Sequence, residues 1–131
     1  MNKAYKNFKS MLMVVDYHFQ DDNNEKEITL DTKEKIEIKS IGDTSLLLLA
    51  ERKLIFNGLT NTYLKVSYEV NISLAEKVNK KKVVLDIKKG LSILGAVYSD
   101  ISLIIAQITD KSPFGAIISP PMYDEDEIEI I

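Results

Sequence analysis

Acid–base chemistry in this sequence would depend on a few isolated side chains. Three carboxylates lie within otherwise apolar segments: Asp16, Asp86 and Asp100. Asp100 could act as a general acid on a helix, or it could mark the edge of an apolar stripe. His18, the one histidine, could shuttle protons from the outward face of a strand, or it could be exposed without a chemical role. No nucleophile, base and oxyanion site assemble from these positions, so we predict that the protein is not an enzyme.

Residue types that bind metals and cofactors are scarce. The chain has no cysteine, which excludes disulfides, thiolate metal sites and cysteine nucleophiles. A single histidine argues against a histidine-based metal site or a Ser–His triad. Neither G-x-G-x-x-G nor a phosphate-binding loop is present. We therefore expect no cofactor and no metal site.

Length and charge limit the expected partners. The 131 residues contain no linker or internal repeat, so we expect one domain, residues 1–131, with an acidic tail, residues 124–131. Residues 124–129 hold five acids, and without them the net charge of −3 becomes +2. Neither nucleic acid nor a membrane is therefore an expected partner. The first ten residues lack an apolar core, which predicts no signal peptide, and we expect a cytoplasmic location.

Residues 91–108 form an apolar stretch about as long as a short membrane span. Asp100 interrupts it, and a central charge costs about 2.5–3.5 kcal/mol on insertion scales, so we expect burial in protein. The apolar spacing of i, i+3, i+4 and i+7 predicts a helix. Because the helix is apolar nearly all round, a sheet would cover one side and a second copy of the protein the other. The interface candidates are Val97, Ile101, Ile104, Ile105 and Ile108.

Alternation of apolar and polar residues elsewhere predicts a meander of antiparallel strands. The alternation is strict over residues 63–74 and weak over residues 27–43. Residues 45–58 fit either a helix or a strand, and their β-tending end with Asn57–Gly58 favours the strand. Residues 11–20 are a predicted strand with one face turned inward: Met11, Met13, Val15, Tyr17 and Phe19.

The segment "VVLDIKKG", residues 83–90, is predicted to be the last strand of this meander. Its expected inward residues are Val83, Leu85 and Ile87, and its expected outward residues are Val84, Asp86 and Lys88. After the long helix, Pro113 prevents continuation and favours an extended backbone at Ser112. Residues 114–121 must then run extended, with Phe114, Ile117 and Ile118 packed on the sheet or the helix.

This order of elements resembles the SecB family of protein-export chaperones. The residues that carry the resemblance are "VVDYHFQ", "VVLDIKKG", "ILGAVYSDISLIIAQIT" and "SPFGAIISPPMY", within about residues 11–20 and 63–123. Tyr98 takes the place of the family's helix tyrosine. The family segment that follows the helix is matched by Phe114, Ile117, Pro120 and Tyr123. The sequence departs from the family where Ala96 and Val97 replace a Phe-Pro pair and where "DEDEIEII" replaces a second helix.

The resemblance implies an α+β fold, an antiparallel meander sheet packed with one long C-terminal helix. It also implies a homotetramer, a dimer of dimers joined through first strands and long helices, with an apolar groove for unfolded preproteins. The implied groove candidates are Phe114, Ile117, Ile118, Met122 and Tyr98. Implied docking candidates for the SecA motor are Asp16, Val84 and Asp86, although Gln20 replaces a family glutamate.

Two functions are compatible with these features. The first is a SecB-like chaperone that binds unfolded or extended polypeptide in an apolar groove, for preprotein export or for protection of one partner. The alternative is a non-enzymatic scaffold that uses the same fold to bind one folded partner, for example in a toxin–antitoxin or mobile-element setting. Suppression of aggregation for several unrelated clients distinguishes the first function from the second.

Overall fold

The computed structural model describes residues 3–20, 27–113 and 115–131. In these residues the elements are strands β1 (Tyr5–His18), β2 (Thr29–Ile41), β3 (Ser45–Asn57) and β4 (Tyr63–Leu74), helices α1 (Lys80–Lys89) and α2 (Ser92–Thr109), and strand β5 (Glu129–Ile130). The strands form one sheet in the order β1-β4-β3-β2-β5, antiparallel except that β5 runs parallel to β2. The predicted α+β class, with an antiparallel meander and a long helix, is confirmed.

The centre of the sheet forms where alternation is strongest. In β4 the even-numbered aliphatic residues are buried, and β3 pairs with β4 so that Leu54 lies opposite Leu64 and Leu48 opposite Val70. The strand interpretation of residues 45–57 is therefore confirmed. Burial on one face of two neighbouring long strands supplies most of the apolar area that the sheet removes from water.

Strand β1 lies at one edge of the sheet and is confirmed as a strand, but its expected inward face is wrong in part. Tyr17 and Phe19 pack against the core, whereas residues 11–15 are exposed on both faces of the strand. The physical reason is that α2 packs mainly over β4 and β3 and scarcely reaches β1. The middle of β1 thus leaves five consecutive apolar residues in water.

The segment predicted as the last strand is instead helix α1, and this prediction was wrong. Asn79 caps the helix because its side-chain oxygen accepts the backbone N–H of Lys82 at 2.8 Å. Gly90 ends it with a φ of 100° and donates its N–H to the carbonyl of Ile87. Val83 and Ile87, one turn apart, are buried, so an apolar pair that also fits a strand serves here as a helix face.

Replacing Asn79 with alanine should lower the free energy of unfolding by about 1 kcal/mol, because the N–H of Lys82 loses its cap. Urea denaturation followed by far-ultraviolet circular dichroism measures the difference. Lys81, exposed in the same turn, is the control, and its replacement with alanine should change stability by less than about 0.5 kcal/mol. Equal effects of the two substitutions would contradict a capping role for Asn79.

Helix α2 confirms the predicted apolar stripe. Leu94, Val97, Tyr98, Ile101 and Ile105 are fully buried against the sheet. In the described part of the chain, α2 is the one helix long and apolar enough to span a membrane, and one face of it belongs to the core. Its other face, at positions 96, 100, 103 and 107, is exposed.

Candidate polypeptide-binding surface

The C-terminal segment, residues 115–123, runs beside α2 in the opposite direction. Near the end of the helix, Thr109 accepts the N–H of Ile117 on its hydroxyl at 2.8 Å. Further back, the hydroxyl of Ser102 donates to the carbonyl of Ser119 at 2.6 Å. At the start of the helix, the N–H of Leu91 donates to the hydroxyl of Tyr123 at 2.7 Å. The predicted extended segment is therefore present, and it is attached along the whole length of the helix.

A buried ion pair attaches the same segment to the sheet. Arg52 of β3 is fully buried, and its Nε donates to Glu34 of β2 at 2.9 Å. Its Nη1 donates to the hydroxyl of Ser119 at 3.0 Å, and its Nη2 donates to the carbonyl of Met122 at 2.8 Å. The other oxygen of Glu34 accepts the N–H of Asp124 at 2.8 Å. This Arg52 cluster satisfies both buried charges and fixes the position of the segment over the sheet.

Tyr98 lies below the Arg52 cluster, and its assignment to an accessible groove is wrong. Its side chain is fully buried, and its ring centroid is 5.2 Å from the guanidinium carbon of Arg52. Its hydroxyl points between the carbonyls of Glu51 and Lys35, at 3.0 and 3.2 Å. Burial, and next the nearby charge of Glu34, raise the pKa of Tyr98 far above its ordinary value. Tyr98 supports the segment from inside and has no surface to offer a client.

Two of the remaining groove candidates are exposed on the outside of the segment. Ile118 is 80% exposed and Met122 is 65% exposed, while Ile117 is partly buried and Phe114 lies outside the described residues. Leu103 of α2 is 60% exposed. It follows Ser102, whose hydroxyl donates to the carbonyl of Ser119, the residue after Ile118. We call Leu103, Ile118 and Met122 the outer apolar surface. Folding of a single chain leaves all three in water, although each could bury apolar area against a partner.

The predicted interface residues of α2 separate into two groups. Val97, Ile101 and Ile105 are fully buried under the chain's own sheet, so they have no free surface for a second copy. Ile104 and Ile108 are partly buried. The prediction assumed that one sheet could not cover the whole apolar stripe of the helix. In the structure, the sheet and the C-terminal segment together cover most of the stripe. Exposed apolar residues that could join two copies lie instead on β1, at residues 11–15.

The predicted motor-docking residues are not on one surface. Asp16 lies on β1 and accepts a hydrogen bond from the hydroxyl of Tyr63 at 3.2 Å. Val84 and Asp86 belong to α1, so strand parity does not apply to them. The outward orientation expected for Asp86 is wrong, because its carboxylate is buried, accepts the hydroxyl of Tyr5 at 2.7 Å and pairs with Lys82 at 3.3 Å.

The side chains first considered for acid–base chemistry do not form one site: Asp16 and His18 both contact Tyr63, whereas Asp86 and Asp100 lie on helices α1 and α2. His18 is exposed and stacks on Tyr63, with ring centroids 5.8 Å apart, at the end of β1. Asp100 is exposed on α2, where its charge, after burial, helps raise the pKa of Tyr68. In the described ranges, no group of three or more His, Cys, Asp or Glu side chains is arranged to hold a metal ion.

Sequence reasoning did not identify the Arg52 cluster. A usable signal existed, since Arg52 occupies an inward position of a strand whose other inward residues are apolar, and Glu34 lies at an equivalent position of β2. An inward arginine in an amphipathic strand demands a buried acid and further acceptors. The acceptors come from residues 119–122, which no local pattern connects to β3.

Together, the sheet, the long helix and the extended segment define the SecB-like fold. No protein-family model and no curated protein matches the sequence. Among solved structures, the chain is similar to the SecB-like chaperone Rv1957 of Mycobacterium tuberculosis, determined in complex with a ChAD peptide from the HigA1 antitoxin Rv1956. The TM-score is 0.57 at 6% sequence identity, and the match covers 88% of this chain and 86% of that chain. At this identity the likeness concerns the fold.

Proposed function

We propose that this protein is a chaperone of the SecB-like kind that binds extended apolar polypeptide on the outer apolar surface, in the cytoplasm. The observation that carries the proposal is the exposure of Ile118 and Met122 on a segment whose backbone carbonyls, at Ser119 and Met122, accept hydrogen bonds from Ser102 and Arg52. A rigid support loses little entropy when an extended chain lies against it. The structural similarity to a chaperone solved with a bound peptide supports the same function.

The size of the outer apolar surface sets the expected affinity. Burial of a large apolar side chain contributes about 1.5–3 kcal/mol, so three side chains contribute about 4.5–9 kcal/mol. This gain is similar in size to the cost of association, which is about 4–15 kcal/mol. One chain should thus bind one segment weakly. Several linked copies would bind an unfolded client much more tightly, because each further contact is intramolecular. A holding function therefore favours an oligomer.

The oligomer that we propose uses the β1 edge. Residues 11–15 present apolar side chains on both faces of an edge strand, and such an edge is a template for pairing with another strand. Pairing of two β1 strands would continue the sheet across two copies of the chain. SecA is not included in the proposal, because Asp86 is buried and lies on a different element from Asp16.

A second candidate is a chaperone or scaffold for one particular partner. It is favoured by the peptide in the similar structure, which comes from a single named antitoxin. The two candidate functions differ in the range of client proteins that they protect. A general holding chaperone protects several unrelated unfolded proteins, whereas a dedicated one protects its own partner and leaves the others to aggregate.

Replacing Ile118 and Met122 together with aspartate should weaken the binding of unfolded clients by about a hundredfold or more, since two exposed side chains no longer bury apolar area. The assay is light scattering of three unrelated, chemically unfolded proteins that aggregate on dilution, with increasing amounts of the chain. The matched control is Leu85→Asp, which changes a leucine that is 51% exposed on α1.

The wild-type protein and the control should suppress aggregation equally, and the double variant should need much more protein for the same effect. Circular dichroism verifies that all forms are folded. Failure of the wild-type protein to protect any of the three clients would contradict the general chaperone. Equal protection by the wild-type protein and the double variant would show that binding occurs elsewhere.

A further inference from the structure

The β2 edge of the sheet is only partly paired within the described residues. Strand β2 has 13 residues, whereas β5 has 2 and pairs with Lys35 and Ile36. Two further backbone hydrogen bonds extend the pairing. The N–H of Ile131 donates to the carbonyl of Ile36 at 2.9 Å, and the N–H of Ile38 donates to the carbonyl of Ile131 at 3.0 Å. Residues 31–34 pair with β3 on one side, but on the other side their backbone has no strand beside it among the described residues. An edge of this kind can accept a strand from another chain.

A cavity lies beside this open part of the edge. Its volume is about 770 Å³, and it is lined on one side by residues 31–34 of β2 and on the other by Met122, Tyr123 and Glu127. Residues 124–127 form a turn and not a strand, and Ile128 donates its N–H to the carbonyl of Asp124 at 2.9 Å. If β5 were extended toward its N-terminal side in the same register, it would pass through this space. The residue two positions before Glu129 would then lie opposite Lys33. The cavity therefore has the position of a longer strand.

Residues 128–130, which include β5, show which side chains the β2 edge accepts. Ile128 is buried and Ile130 packs against the core, whereas Glu129 between them is exposed opposite Lys35. Apolar residues thus point inward and the acidic residue points outward, beside a lysine. Lys33, two residues earlier on the same face of β2, favours an acidic residue at the next outward position.

We propose that the β2 edge binds a client segment by strand addition, and that β5 occupies this site in cis until a client displaces it. The inference rests on the proposed function and specifies its substrate class, an extended peptide with alternating apolar and acidic residues. Backbone hydrogen bonds along β2 supply affinity for any extended chain, and the inward pockets with Lys33 and Lys35 supply selectivity. A client can bind only after β5 is released. The apparent affinity for the client is therefore the intrinsic affinity multiplied by the fraction of chains in which β5 has left the edge.

The first test removes Glu129, Ile130 and Ile131 and keeps the buried Ile128. The probe is a fluorescently labelled synthetic peptide with the sequence DEDEIEII of residues 124–131. The truncated chain should bind it at least about tenfold more tightly than the full chain, because the site is no longer occupied. The control peptide carries Ile130→Lys, which places a charge at the inward position, and it should bind neither form. Equal affinity of the truncated and full chains for the probe would overturn the proposal.

The second test locks β5 in place. The chain has no cysteine, and Lys35 and Glu129 lie directly opposite each other, so Lys35→Cys with Glu129→Cys introduces one disulfide that can be reduced. The oxidised form should bind the probe at least about tenfold more weakly than the reduced form. Each single cysteine variant under the same oxidant is the control. Backbone amides of residues 31–34 should gain protection from hydrogen exchange when the truncated chain binds the probe.

The light-scattering assay separates the two proposals. If the wild-type protein suppresses client aggregation and neither the lock nor the truncation changes probe or client binding, strand addition is wrong and the chaperone function stands. If no form, truncated or full, protects a client or binds the probe, both proposals fail. Binding of the probe by the truncated chain, reduced by the lock in the double cysteine variant, supports strand addition.

Discussion

Replacing Arg52 with alanine should lower the free energy of unfolding by about 3–5 kcal/mol, the largest effect that we expect from a single substitution in this chain. Glu34 would keep its charge in a buried position without its partner. Ser119 and the carbonyl of Met122 would lose their donor, and residues 119–124 would lose their attachment to β3. Urea denaturation monitored by tyrosine fluorescence and by circular dichroism measures the change.

Two control variants separate the buried charge from ordinary side-chain loss. Lys35→Ala removes a cation whose carboxylate partner, Glu51, is 3.8 Å away near the surface, and it should cost less than about 1 kcal/mol. Adding Glu34→Leu to Arg52→Ala should restore about 2–3 kcal/mol, because the unpaired charge is removed. A double variant no more stable than Arg52→Ala alone would refute this account of the Arg52 cluster.

Alkaline solution should destabilise the protein through Tyr98. Burial, first, and the charge of Glu34, second, raise the pKa of Tyr98 far above its ordinary value. Below about pH 10 the hydroxyl is protonated in both states, and its contribution to stability is complete. Above that pH the unfolded chain ionises Tyr98 while the folded chain does not. Stability should fall by about 1.4 kcal/mol per pH unit for this tyrosine, or about 3 kcal/mol by pH 12.

The measurement compares the wild-type protein with Tyr98→Phe from about pH 9 to about pH 12. The phenylalanine variant should start less stable, since Glu51 and Lys35 lose a hydrogen-bond donor to their carbonyls. Its stability should nevertheless fall more slowly with pH, by the contribution of one tyrosine. Other tyrosines with raised pKa values, such as Tyr5 beside Asp86, contribute equally to both proteins. Identical slopes would show that Tyr98 is not the group responsible.

The sequence predicted the elements whose period is sustained. The alternation of β4 and the stripe of α2 each extend over more than ten residues, and both were confirmed with most of the expected residues buried. Tyr68, Ile104 and Ile108 are only partly buried. Helix α1 was predicted wrongly because Val83 and Ile87 satisfy a spacing of two as well as a spacing of four. In so short a segment the capping residues, Asn79 and Gly90, determine that a helix forms and not a strand.

The site was less predictable than the fold because its contacts are distant in sequence. Ile118 lies on the predicted extended segment, since prolines restrict the backbone locally. Its predicted packing on the sheet or the helix is wrong, because its side chain is 80% exposed. The partners that hold the segment, Arg52 and Glu34, are known only once the sheet has formed. Likewise, the buried positions of Tyr98 and Ile101 depend on how completely β3 and β4 cover the helix, which a stripe alone does not reveal.

The spacing of the Arg52 cluster along the chain also orders events during synthesis. The hydrogen bonds of Arg52 to Ser119 and Met122 join residues 67 and 70 positions apart. At about 5–20 residues per second, a ribosome adds the acceptors several seconds after the arginine. During that interval Arg52 and Glu34 lack the hydrogen-bond partners that residues 119–124 supply. Completion of the Arg52 cluster is therefore a late event, because it has to follow the synthesis of these residues.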